Sequence, residues 1–145
     1  MGARILGRTR PVGEQLEWNR LPEEGPVLAS ARTIFVADDS AVARSVIVRA
    51  VGEAGFVVVE GASAALAPAV DVGGLSCALL DLDLGDGDGT ELARALRRSS
   101  PGLPIAFFSA GASADLVARA NAVGPVFTKP EELDRAVAWI QANAT

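Results

Sequence analysis

Residues 33–40 read Thr33-Ile34-Phe35-Val36-Ala37-Asp38-Asp39-Ser40, a short run dominated by β-branched and aromatic side chains that stops on two acids and a hydroxyl. The run lacks polar alternation, so it predicts a strand buried on both faces. Immediately after it, Val42, Val46, Ile47 and Ala50 recur at helical spacing until Gly55, a residue suited to end a helix. A strand followed by charge and then a helix is the opening of a βαβ unit.

The same texture continues along the chain. Phe56-Val57-Val58-Val59, Cys77-Ala78-Leu79-Leu80, Pro104-Ile105-Ala106-Phe107-Phe108 and Val126-Phe127 are four further strand candidates. Between and after them, helices are predicted from Thr90 to Arg98, from Ala114 to Ala122 and from Glu131 to Asn143. A weaker one, shortened by Pro68, is predicted from Ala62 to about Val70. Five apolar strands alternating with five helices predict an α/β fold: a doubly wound parallel sheet with helices on both faces. In such folds polar ligands collect at the carboxyl ends of the strands, near a switch in strand order.

Bulk properties narrow the function. At 145 residues the chain has room for one ordinary domain, so an output module is expected on another polypeptide. Half the residues are hydrophobic and 5% aromatic, which suits a core of Ala, Val and Leu. The net charge is −5, and residues 1–32 hold five Arg against four Glu, leaving eight basic against fourteen acidic residues in the remainder. That balance argues against direct nucleic-acid binding, and the clustered acids suggest a cation site. Cys77 is the only cysteine and lies in an apolar run, so neither an intrachain disulfide nor a Cys-based metal cage is expected. No run approaches the roughly 18 apolar residues of a membrane span, and the first residues lack the apolar core of a signal peptide. A cytoplasmic protein with no membrane partner is expected. There is no His, hence no histidine base or phosphoacceptor in this sequence. Residues 1–31 show no sustained period and contain Pro11, Pro22 and Pro26. They read as a flexible N-terminal arm, in which Leu16, Trp18 and Leu21 are weighed as a short docking patch and set aside.

Four of the five strands finish on a polar residue: Asp38-Asp39, Asp81, Ser109 and Lys129. The predicted fold converges them on one rim. Three crowded carboxylates repel one another and call for a divalent cation, and an oxygen-only donor set suits Mg²⁺. A carboxylate in such a place can attack a phosphoryl donor to give an acyl phosphate. Lys129 would neutralise charge on the transferred group and the Ser109 hydroxyl would bond one of its oxygens.

In these residues the chain resembles the receiver domain of two-component response regulators, from about Thr33 to the C-terminus, with residues 32–145 as the domain. Asp38-Asp39 matches the family's acidic pair, Leu80-Asp81 through Asp88-Gly89 its phosphoacceptor segment, Ser109-Ala110 its hydroxyl with a small neighbour, and Lys129-Pro130 its lysine and cis-type proline position. The resemblance implies a flavodoxin-like sheet of order 2-1-3-4-5. It implies Asp39 as a direct Mg²⁺ ligand, Asp38 acting mostly through water, Asp81 as ligand and phosphoacceptor, and the Asp83 backbone carbonyl as a further ligand. It also implies a histidine kinase or phosphotransfer protein as donor and a downstream protein target, met through the face around the fourth and fifth helices and the fifth strand. Homodimerisation is an open option. No enzymatic turnover is expected beyond self-phosphotransfer and autodephosphorylation.

Three departures stand out. Gly85 occupies a position where the family usually has Pro, which predicts a looser loop after Asp81. Asp83 puts a carboxylate where many members are neutral. Val126, three residues before Lys129, replaces the aromatic that swings inward on activation, and Phe127 is one residue off and should point the other way.

Other readings were weighed. Asp86 and Asp88 read as solvated turn residues. Asp86-Gly87-Asp88-Gly89-Thr90 matches the haloacid dehalogenase signature, yet that signature must follow a strand directly, and the strand already ends at Asp81. A calcium loop starting at Asp81 fails at its sixth and twelfth positions, which are Asp86 and Leu92. A degenerate receiver acting as a phosphorylation-independent binding module is the remaining alternative, kept open by Val126.

Overall fold

The structure, a computed structural model, describes residues 32–65 and 72–145. The arm expected at residues 1–31, with its Leu16, Trp18 and Leu21, lies outside the described residues, as does most of the short helix expected between Ala62 and Val70.

Five strands appear: β1 (Thr33–Ala37), β2 (Val57–Gly61), β3 (Cys77–Leu80), β4 (Ile105–Ser109) and β5 (Val126–Thr128). Among the described residues they are joined by four α-helices: α1 (Ala41–Glu53), α2 (Gly89–Ser99), α3 (Ala114–Asn121) and α4 (Leu133–Asn143). All strand pairs are parallel, in the order β2-β1-β3-β4-β5. This is the flavodoxin-like order that the sequence predicts.

Side-chain alternation along each buried strand feeds two separate cores. Phe35, Ala78, Leu80 and Phe107 face one way and pack with Leu92 and Leu96 of α2 and Ala120 of α3. Ile34, Val36, Leu79 and Phe108 face the other way and meet Ile47 and Val51 of α1 and Ala136 and Ile140 of α4. Helices therefore cover both faces, and each fully buried Leu or Phe contributes roughly 2 kcal/mol of burial free energy. Cys77 belongs to the second core, and burial pushes its thiol up to about 12. It is an inert packing residue, as expected.

The helix starts follow from local chemistry. Ser40 caps α1, its Oγ accepting from the Ala43 amide at 3.2 Å. Asp88 caps α2 in a reciprocal box: its carboxylate accepts from the Thr90 and Glu91 amides, and the Glu91 side chain reaches back to the Asp88 amide. Ser113 caps α3 through the Leu116 amide at 3.1 Å. Thus Asp88 is a structural cap rather than the freely solvated turn residue that the sequence suggests.

Candidate functional site: a carboxylate rim with a half-buried lysine

The register explains why the acids meet. Ala37 of β1 pairs with Leu80 of β3, so Asp38 and Asp81 are the next residues on neighbouring strands, and the Asp81 amide donates to the Ala37 carbonyl at 2.8 Å. The chain leaving β1 crosses to β2 while β3 lies on its other side, so the acids sit where the strand order switches. On the neighbouring pair Ser109 faces Thr128, and the Lys129 amide donates to the Ser109 carbonyl at 2.9 Å. The polar ends of four strands therefore lie on one rim.

Asp38, Asp39 and Asp81 each offer a carboxylate oxygen, and these oxygens all lie within 4.8 Å of one another. Asp38 and Asp81 are buried and Asp39 is exposed. The Lys129 ammonium bridges the two buried acids, at 2.5 Å from Asp38 Oδ2 and 3.2 Å from Asp81 Oδ2. It also lies 5.9 Å above the Phe108 ring. Burial pushes the Asp81 carboxyl above its ordinary range; the Lys129 charge opposes that shift and the Asp38 charge adds to it. Burial pulls the Lys129 ammonium down, but the hydrogen bond to Asp38 and the charges of Asp81 and Asp38 outweigh it and leave it raised.

This donor set fits a small divalent cation: it is all oxygen, hard and anionic, with one acid open to solvent for exchange. The Asp83 side chain stands outside the three-acid cluster, exposed, accepting from the Gly85 amide at 3.1 Å. The ligand role inferred for Asp83 concerns its backbone carbonyl and rests on the resemblance. Ser109 is buried, and its hydroxyl makes no side-chain hydrogen bond to another described residue. It is free to bond an incoming oxyanion.

The loop after Asp81 is tied at several points, with Gly85 at its bend. Gly85 has φ +82° and the Asp86 amide donates back to the Leu84 carbonyl at 2.9 Å, a γ-turn of the positive-φ kind that Gly permits. Leu82 and Leu84 anchor this loop in the first core. Asp86 ties it to the loop after β2, accepting from the Ser63 hydroxyl and from the Ala64 and Ala65 amides. Those bonds, the Ser63 hydroxyl foremost, hold the Asp86 carboxyl below its usual range. Gly89 has a different necessity: a Cβ there would stand 2.2 Å from the Asp81 carbonyl oxygen, so the Asp88-Gly89 pair lets α2 start hard against the central acid. Val126 packs beside the first core and Phe127 belongs to the second, so Phe127 does point the opposite way, as predicted.

Sequence reasoning passed over Arg44, whose guanidinium reaches the Asp38 carbonyl at 2.6 Å. The available signal was its place four residues after the Ser40 cap, one helical turn above the acidic pair.

Comparisons with known proteins agree with this geometry. No curated protein matches the chain by sequence. A CheY-like receiver domain protein from Methanospirillum hungatei superposes with a TM-score of 0.69 at 23% identity, covering 78% of this chain and 93% of its own. A response regulator receiver protein from Sinorhizobium medicae gives 0.68 at 25% identity, covering 81% and 99%. A response regulator from Burkholderia pseudomallei, solved with a phosphorylated aspartic acid, calcium ion and citrate, gives 0.64 at 24% identity, covering 78% and 68%. The family model for the response regulator receiver domain matches residues 34–141, and this chain therefore belongs to the response regulator receiver domain family.

Proposed function

We propose that this receiver domain takes a phosphoryl group onto Asp81 from a phosphohistidine of a kinase or phosphotransfer protein, in the presence of Mg²⁺, and passes the change to a downstream protein. The observation that carries this reading is the buried Asp81, with Asp38 and Asp39 beside it and the Lys129 ammonium 3.2 Å away. In the transfer, a carboxylate oxygen of Asp81 attacks phosphorus, the phosphorus–nitrogen bond of the donor breaks, and its electron pair returns to the imidazole. Lys129 and the Ser109 hydroxyl hold the phosphoryl oxygens. Asp39, Asp38, Asp81 and the Asp83 carbonyl would hold Mg²⁺, which when bound offsets the charge gathered at the rim. Without that cation the Asp81 carboxylate already carries a burial penalty, so a nearby positive charge favours its nucleophilic form.

The reaction is a single event on the protein itself, ended when water attacks the acyl phosphate and releases inorganic phosphate with the Asp81 carboxylate restored, so the chain is not an enzyme in the turnover sense. No helix among the described residues is long and apolar enough to cross a membrane. The expected setting is the cytoplasm, where such donors act. The output face comprises α3, β5 and α4, with either a target protein or a second copy as its partner.

The test is direct. With Mg²⁺ and acetyl phosphate, mass spectrometry should detect one acid-labile phosphoryl group, and Asp81→Asn should carry none. Labelling of the variant equal to wild type would sink the assignment. No labelling of either protein would favour the phosphorylation-independent binding module that Val126 suggests, and turnover of para-nitrophenyl phosphate would favour a phosphatase.

A further inference from the structure

Arg44 sits one turn into α1 and makes two directional contacts. Nη1 donates to the Asp38 backbone carbonyl at 2.6 Å, and Nε donates to Glu60 Oε1 on β2 at 3.0 Å. Its side chain is 20% exposed against 49% for Glu60, so the contact with the carbonyl is the more shielded one. All the other polar groups of Asp38 are also engaged: its amide donates to the Gly61 carbonyl, Oδ1 accepts from the Ser40 amide, and Oδ2 accepts from Lys129.

The consequence falls on the next residue. A peptide unit is planar, so fixing the Asp38 carbonyl also fixes the amide and Cα of Asp39. Asp39 is exposed, and its carboxylate makes no hydrogen bond to a described residue. Among the described residues, the backbone is what aims it. We infer that Arg44 is a positioning residue for the cation site: by pinning the Asp38–Asp39 peptide plane, with Glu60 as its rear tether, it directs the Asp39 carboxylate into the pocket shared with Asp38 and Asp81. This inference rests on the proposal that the pocket takes a divalent cation.

Charge alone predicts the opposite outcome. A guanidinium beside a cation site repels the cation, so removing it should tighten Mg²⁺ binding. Positioning predicts loosening, since loss of a group that orients a ligand typically weakens metal binding about tenfold or more.

The experiment is calorimetric titration of the full chain with Mg²⁺ alone, with metal-free melting temperatures measured alongside. Arg44→Ala should weaken Mg²⁺ about tenfold. Arg44→Lys keeps the charge but has one donor group for two acceptors, so it should fall between wild type and Arg44→Ala. Glu60→Ala should lose about threefold and Glu60→Gln, which keeps an acceptor, less. Affinity unchanged or tightened in Arg44→Ala, even with a lowered melting temperature, overturns the inference. If that variant does not fold, Arg44→Lys and Glu60→Ala decide by the same criterion. A wild type that binds no Mg²⁺ overturns the cation site itself and this inference with it, whereas a wild type that binds and an Arg44→Ala that binds equally overturn the role of Arg44 alone.

Discussion

The two halves of the rim are built differently. At the ends of β1 and β3, charged side chains are packed under many hydrogen bonds: Asp38 is bonded through its amide, its carbonyl and both carboxylate oxygens. At the end of β4 and in the loop that follows, the side chains are small and carry few bonds, while Lys129 at the end of β5 reaches across to the acids. The Ser109 hydroxyl makes no side-chain hydrogen bond to another described residue, Ala110, Gly111 and Ala112 follow it, Gly111 sits at φ +74°, and the β5 residue three before Lys129 is the β-branched Val126. The first half holds its charge fixed, and the stretch after Ser109 has backbone freedom from Gly111 and its small neighbours. Single substitutions in the two halves should therefore separate the proposed phosphotransfer from the proposed switching.

The largest effect should break the symmetry of the acidic pair. Asp39→Ala should weaken Mg²⁺ binding roughly a hundredfold, and Asp38→Ala less, because a ligand touching the ion loses more than one acting through water. Asp38→Ala should instead lose more thermal stability, since it strips partners from Lys129 and the Ser40 amide. Reversal of either order, in titration or in melting, would contradict this division of labour within the pair.

A second comparison sets Ser109 against Val126. Hydrogen exchange with and without beryllofluoride should change chiefly in residues 109–118. Ser109→Ala should abolish that change while leaving most labelling of Asp81, because the variant loses the phosphoryl contact without touching the acids. Val126→Ala should leave it largely intact, as a β-branched side chain with one dominant rotamer has no ring to transfer between exposed and buried positions. If Val126→Ala erases the response and Ser109→Ala does not, the hydroxyl is not the coupling element.

The smallest effect concerns stability and pH. The folded Asp81 carboxyl is raised by burial, so relative to the unfolded chain its contribution is favourable below its unfolded value near about 3.9 and is lost as pH rises through the folded value. At neutral pH and without divalent cation, Asp81 therefore costs stability. Asp81→Asn should raise the melting temperature by a few degrees at pH 7 and by less near pH 4. Lys129 runs with its own sign: its raised value contributes stability at neutral pH that disappears as pH climbs through the folded value. A metal-free Asp81→Asn protein no more stable than wild type at pH 7 would show that Lys129 already neutralises the buried acid.

The element pattern was legible because a strand buried on both faces must be continuously apolar and must hand its charge to its ends. Thr33–Ala37 and Cys77–Leu80 both do so, and the polar residue after each belongs to the three-acid cluster. Asp86 is exposed in a turn, as expected, whereas Asp88 is half-buried as a helix cap. Their turn chemistry was visible, but the partners that make them tethers, Ser63 to Ala65 for one and Thr90 with Glu91 for the other, depend on where the neighbouring loop and helix come to rest. The anchoring of the loop at Gly85 comes from Leu82 and Leu84, whose burial no local rule reports.

By itself, then, the sequence determined which polar residues stand at the strand ends and that they gather at one rim: the types Asp, Ser and Lys at those places follow from period and punctuation alone. The tertiary structure decided which of those groups are bonded to each other, that Lys129 spans Asp38 and Asp81, and that Arg44 holds the Asp38 carbonyl. Periodicity is a property of neighbours along the chain, whereas Lys129 and Asp38 are separated by 91 positions, and only the packed sheet sets the distance between them.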